Sequence, residues 1–276
     1  MILVTGATGH VGRHIVQQLL NAGHRVRILC RPGNAPMRHD VDVAYGDLSD
    51  EAAVNKALFG VEKVFLFPAM NIAPQIGAMA LEQGTKRIVV LSSAANERTD
   101  PRRNPIAAKH DRAEKSAQSI GSAWTILRSD TFATNALAWG PSIRSHRKVR
   151  APYGLAQRNP IHESDVAAGI VACLLQDGHD QKTYLLTGPE SMTQQEQVHH
   201  IGRAIGEPVA FEEQTRDEAY REMSARMPTS AADQLLNYLA ASVGVPSHVL
   251  DTVETLTRRA PRTFAQWAAD HVVDFQ

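Results

Sequence analysis

An α/β fold built on a parallel sheet is predicted for this chain by two observations. Its first half alternates short, continuous apolar runs with segments of helical periodicity, and a glycine-rich loop stands between the first run and the first helix. A continuous apolar run suits a strand buried on both faces by helices, and strands that alternate with helices assemble such a sheet.

The elements follow in order. "MILVTG" is an apolar run ended by Gly6, after which Val11, Ile15 and Leu19 recur at helical spacing with Val16 and Leu20 beside them, and Gly23 stops the helix. "RVRILC" and "VDVAYGDL" read as strands, "SDEAAVNKALFG" as a helix, "KVFLFPA" as a strand, "APQIGAMALEQG" as a helix and "KRIVVLSSA" as a strand. "ERTDPRRNP" is polar, holds two prolines and reads as a loop. A helix follows over "NPIAAKHDRAEKSAQ", then a strand at "AWTILRSD", a helix at "ESDVAAGIVACLL" and a strand at "KTYLLTG". Thr193 followed by Glu196 gives a capping box at the start of "TQQEQVHHIGRAIG". From about Val209 the chain reads as helical and peripheral, with a last helix near "PRTFAQWAADHVV". No repeat, low-complexity tract or flexible linker divides the 276 residues. The expectation is one domain over 1–276, a doubly wound parallel sheet whose smaller, mostly helical C-terminal lobe is drawn from about 130–160 and 189–276.

Composition narrows the function. Lys plus Arg and Asp plus Glu both count 29, so bulk charge gives no grip on nucleic acid or on an anionic membrane. Cys30 and Cys173 sit in apolar segments without metal-ligand spacing, which suits free thiols in a reducing compartment. The chain opens on a strand-like run and has no stretch long enough to cross a bilayer, so a cytoplasmic protein is expected, as a monomer or homodimer.

Gly6, Gly9 and Gly12 in "VTGATGHVGR" fall between the first strand and the first helix. The first permits a tight turn, the second a close approach of backbone to a pyrophosphate, and the third close helix–strand packing, with the helix N-terminus facing the anion. This is the dinucleotide-binding loop of a Rossmann-type fold, in the β-α-β context that gives the pattern meaning. Thr8, with either His10 or Arg13, adds phosphate contacts, and Val11 lies at the helix start. The second strand ends at Arg31 with no acid to hold a ribose 2′-hydroxyl; a guanidinium there accommodates a 2′-phosphate, so NADP(H) is expected ahead of NAD(H).

The spacing Gly-x-x-Gly-x-x-Gly, the "GDL" at Gly46–Leu48 and the phrase "IGSAWTILRSDTFATN" together resemble the short-chain dehydrogenase/reductase superfamily, in its atypical, NmrA-like branch. That branch includes quinone reductases, triphenylmethane dye reductases, redox-sensing regulators and isoflavone-type reductases. The resemblance covers roughly the whole chain. It implies that Asp47, with Leu48 beside it, accepts a hydrogen bond from the adenine amino group. It also implies that Pro68 and Ala69, at the end of "KVFLFPA", and Ser92 and Ser93, in "VVLSSA", line the cofactor, with Ser92 at the substrate oxygen.

Ordinary members carry a Tyr and, four residues on, a Lys, on one helix face. Here those places hold Ile106 and His110. The quinone-reductase-like members tend to have His there and Glu four residues later, and this chain has His110 and Glu114. His110 is therefore a catalytic candidate beside Ser92, holding the nicotinamide ribose or donating a proton near neutral pH. Lys109 is turned away by a helical step of about 100°, and Asp111 with Lys115 forms an i,i+4 surface pair.

Phe132, Asn135 and Trp139 share one side of the segment after "TILR" and are candidates, with Tyr153, for a flat substrate; core aromatics are the equal alternative. Arg144, Arg147, Lys148 and Arg150 read as a solvated basic loop. His162, Glu163 and Asp165 read as the capped opening of a helix. No metal site is expected, since His199 and His200 are adjacent and cannot share a helix face, and no Gly-x-Ser-x-Gly elbow occurs.

The function expected is hydride transfer from NADP(H) to a quinone or another conjugated small molecule, whose delocalised charge needs less help from a Tyr donor. The rivals are a non-catalytic redox sensor acting through a protein partner, and an epimerase or dehydratase on the same fold.

Overall fold

The computed structural model describes residues 1–33, 39–68, 75–95 and 105–276. They divide into two compact units. The first holds Met1–Ser129, Glu163–Leu186 and Thr252–Arg259; the second holds Asp130–His162, Thr187–Asp251 and Ala260–Gln276.

The first unit is the doubly wound sheet. Its strands are β1 (Ile2–Thr5), β2 (Val26–Cys30), β3 (Asp42–Tyr45), β4 (Lys63–Leu66), β5 (Arg87–Ser93), β6 (Trp124–Ser129) and, after two strands of the second unit, β9 (Lys182–Leu186). They form one seven-stranded sheet in the order β3-β2-β1-β4-β5-β6-β9, and every pairing is parallel. The apolar runs became strands because both faces are covered: β1 is buried at all four positions, and Val64, Phe65 and Leu66 of β4 are fully buried.

Helices α1 (His10–Asn21), α2 (Glu51–Leu58), α3 (Ile76–Glu82) and α4 (Pro105–Gln118) follow β1, β3, β4 and β5. The face of α1 predicted from the periodicity is the face that is buried: Val11, Ile15, Val16 and Leu19, with Gly12 among them. Fully burying a side chain such as Ile15 or Leu19 stabilises by roughly 2 kcal/mol, enough for a few such contacts to fix the helix on the sheet. Asp50 caps α2 through the N–H groups of Ala52 and Ala53. The helix Glu163–Leu175 returns to this unit, and Arg87 closes its far end by donating to the carbonyls of Cys173, Leu174 and Gln176.

The second unit contains more strand than its sequence suggested. The basic stretch supplies β7 (Lys148–Ala151), which pairs in parallel with β11 (Ala210–Glu213), in the region read as helical. Charge adds to the pairing: Lys148 and Arg150 both bind Glu212, at 2.6 and 2.7 Å, and Arg147 binds Glu207. These cations are ion-paired within their own unit while their side chains stay partly exposed to solvent. β8 (Gln157–Arg158) and β10 (Met192–Thr193) form a short antiparallel pair. The capping box at Thr193 and Glu196 is present, and Thr263 with Gln266 makes another at the helix Phe264–Asp270.

Candidate functional site

Strand order fixes where a ligand can lie in the first unit. The chain runs outward from β1 to β3, then returns to start β4 on the other side of β1. Ligands of open parallel sheets bind at that reversal, beyond the carboxyl ends of the strands. Thr5, the last residue of β1, joins the two strands there: its hydroxyl donates to the Phe65 carbonyl at 3.0 Å and accepts from the Phe67 N–H at 2.7 Å.

The glycines are required by contact. Gly6 has φ +62°, and a Cβ on it would stand 2.8 Å from the Phe67 ring. A Cβ on Gly12 would stand 2.1 Å from the Gly6 carbonyl oxygen. Gly9, exposed, is the N-cap of α1 and has no side chain to cap it, and the first turn carries no acid. Thr8 and His10 are exposed beside it, while Val11 is buried against the sheet. A twelve-residue helix thus opens with its positive end unscreened by its own sequence. These residues fit a dinucleotide pyrophosphate.

Arg31 and Asp47 lie beyond the ends of β2 and β3, and both are exposed. The Asp47 carboxylate accepts from the N–H and the hydroxyl of Ser49, at 3.0 and 2.8 Å, which holds its pKa below the usual value; the Arg31 charge lowers it further. Asp47 is thus a preformed anion oriented by its own turn. Leu48 is half-buried and packs on the core of the unit. Pro68 is buried, and Ala69 lies outside the described residues.

Ser92 departs from its expected role. It is 1% exposed, and its hydroxyl donates to Glu114, so it does not face an open cleft. The register explains this: Ser92 stands opposite Arg128 on β6, and Arg128 grips the same carboxylate. Ser93, on the opposite face, is half-buried and accepts from the Ala95 N–H at 3.1 Å. Its hydroxyl keeps its own proton to donate.

His110 is half-buried on α4, and its Nδ1 is buried without a partner. Burial pushes its pKa down to about 4, and the neighbouring Lys109 charge adds to the effect against the opposing pull of Glu114. This corrects the expectation of a proton donor near neutral pH: there the imidazole is neutral and offers a hydrogen bond, not an acid. Lys109 is corrected as well. Its Nζ reaches to 5.9 Å from the centre of the Phe67 ring, because a four-carbon stem can swing its head toward the open end of the sheet whatever the helical step. Burial lowers its pKa.

The substrate candidates all belong to the second unit. Phe132 is half-buried and bridges to Ile161, and Asn135 is exposed. Trp139 is half-buried and packs against the core of its unit. Tyr153 has φ +57°, and Arg216 donates to its hydroxyl at 3.4 Å.

Among the described residues no group of His, Cys, Asp and Glu is placed to hold a metal ion. Glu163 is fully buried and lies 3.7 Å from Arg13 and 3.9 Å from His14 of α1, while His162 pairs with Asp270. No helix among the described residues is long and apolar enough to cross a membrane. Cys30 and Cys173 are buried free thiols.

Residues 6–177 match the model of a family described as NAD(P)H-binding. The chain belongs to this family, as an NmrA-like, atypical short-chain reductase. It is 38% identical, over all of its length and 99% of the relative's, to a (4-alkanoyl-5-oxo-2,5-dihydrofuran-3-yl)methyl phosphate reductase of Streptomyces griseus. It is 30% identical to an NAD(P)H azoreductase of Xenophilus azovorans, over all of its own length and 99% of the relative's. Among solved structures it resembles an NADPH-dependent quinone oxidoreductase of Escherichia coli in complex with NADPH, with a TM-score of 0.80, 25% identity, and coverage of 98% of this chain and 99% of that one. The protein is an NAD(P)H-dependent oxidoreductase.

Sequence reasoning missed Phe67 and Arg128 and set Lys109 aside. Phe67 follows a strand that ends where β1 ends, and Arg128 is a charge inside an apolar strand. Those two patterns were the available signals.

Proposed function

We propose that this reductase transfers hydride from NADPH to an electron-poor, conjugated small molecule such as a quinone, an azo compound or an acyl-substituted enone. The observation that carries the reading is His110: it stands where ordinary members place a Lys, Ile106 stands at their Tyr position, and burial lowers its pKa to about 4, so its imidazole is neutral near pH 7. A simple ketone needs a proton as hydride arrives, because its charge localises on one oxygen. A conjugated acceptor spreads that charge, so a neutral hydrogen-bond donor suffices and solvent completes the reduction with a proton.

The bound nicotinamide supplies the hydride. The chain holds it with the Gly6–Gly12 cradle and the open end of α1, orients the adenine end beside Asp47, and receives the 2′-phosphate at Arg31. Ser93, and the neutral ring of His110, serve the acceptor. The Streptomyces griseus relative supports this class: its named substrate carries a ring double bond polarised by both a ring carbonyl and an alkanoyl group. The azoreductase and quinone oxidoreductase names describe conjugated acceptors too.

The test is NADPH oxidation by the purified protein against quinones, azo dyes, acyl butenolides and simple cyclic ketones, with NADH in parallel. Saturable turnover on the conjugated set and none on the ketones is expected. Tight NADPH binding without turnover on any acceptor would replace the reductase with a sensor.

A further inference from the structure

Three features converge at the mouth of the glycine loop. Phe67 packs on Gly6 so closely that a Cβ there would meet its ring. The Lys109 ammonium lies 5.9 Å from the centre of that ring, within cation–π range. The permanent cation of the loop sequence itself, Arg13, lies 3.7 Å from the fully buried Glu163, which competes for its charge.

A pyrophosphate at this loop meets backbone N–H groups and a helix N-terminus, which supply partial charges only. Strand order places Phe67 just beyond β4, on the opposite side of the reversal from β2 and β3. The geometry points to Lys109 as the ion-pairing cation for the cofactor's pyrophosphate, reaching it across the edge of Phe67. Lys109 is then a cofactor-binding residue distinct from His110, and the two neighbours divide the work: the charge goes to the phosphate, the neutral imidazole to the acceptor. A half-buried ammonium that forms no ion pair with any described carboxylate suits this; burial has already weakened its hold on its proton, and an arriving dianion restores it.

The inference rests on NADPH binding but not on any substrate. Its test is equilibrium binding of NADPH and of adenosine 2′-monophosphate, which lacks the pyrophosphate, to the wild-type chain, Lys109→Met and Lys109→Arg. Methionine keeps the apolar stem against Phe67 and removes the charge. Lys109→Met is expected to weaken NADPH binding about tenfold, to leave 2′-monophosphate binding unchanged, and to be largely rescued in Lys109→Arg. NADPH affinity within twofold of wild type in Lys109→Met overturns the assignment, and so does an equal loss for both ligands. Failure of the wild-type chain to bind NADPH would sink the cofactor reading itself, which is a separate result.

Discussion

Arg128 forks onto Glu114, with Nε donating to Oε1 at 3.0 Å and Nη2 to Oε2 at 2.8 Å, while Ser92 donates to Oε1 from the neighbouring strand. The carboxylate is nearly buried, so α4, β5 and β6 are tied together through one anion. Removing one partner leaves the other charge buried. Arg128→Met is expected to destabilise the first unit by about 3 kcal/mol, and Ser92→Ala by about 1 kcal/mol, in urea unfolding. Arg128→Met combined with Glu114→Leu should recover much of the loss. A double variant no better than the single one would mean that packing, not the stranded charge, sets the cost.

His110 makes a prediction about acid. Its folded pKa of about 4 lies below the ordinary histidine value of 6.5. Above pH 6.5 it is neutral whether folded or unfolded and contributes nothing. As pH falls from 6.5 toward 4, the unfolded chain takes up the proton and the folded chain does not, so stability is lost across that window. His110→Asn should flatten this part of the stability–pH curve relative to wild type. A His110 ring resonance that titrates near 6.5 in the folded protein would refute the assignment and restore a neutral-pH acid.

Much of this was legible in the sequence because period and punctuation are local. Val11, Ile15 and Leu19 read as a buried stripe, the three glycines as a turn, and Thr193 with Glu196 as a cap, each from neighbours within a few residues. What the sequence hid depends on pairing across the sheet. The register that sets Ser92 opposite Arg128 turned an expected substrate ligand into a buried donor. The pairing of β7 with β11 turned an apparently solvated basic loop into an ion-paired ribbon. Lys109 was set aside on helix geometry, which fixes the direction of a Cβ but not the end of a long side chain.

Arg31 bears on the choice of nicotinamide cofactor. It is exposed beyond the end of β2, and its charge is felt at Asp47 beyond β3. A 2′-phosphate gains from that guanidinium, and a 2′-hydroxyl does not. Arg31→Glu is expected to weaken NADPH binding about tenfold or more, with NADH affinity held or improved. Equal losses for both cofactors would show that Arg31 acts on the fold of the loop and not on the phosphate.

Gly9 and Gly12 separate binding from stability. A Cβ on Gly12 would stand 2.1 Å from the Gly6 carbonyl oxygen, a backbone atom that cannot swing away, so α1 must back off from β1. Gly12→Ala should cost about 2 kcal/mol of stability and abolish measurable NADPH binding. A Cβ on Gly9 would meet the same oxygen at 3.3 Å, which a small shift relieves, and the position is exposed. Gly9→Ala should therefore keep nearly wild-type stability yet still weaken NADPH binding, because its methyl occupies the approach to the pyrophosphate. Urea unfolding and NADPH titration on both variants separate the two effects. If Gly12→Ala unfolds like wild type, the close packing of α1 on the first turn is not what requires a glycine there.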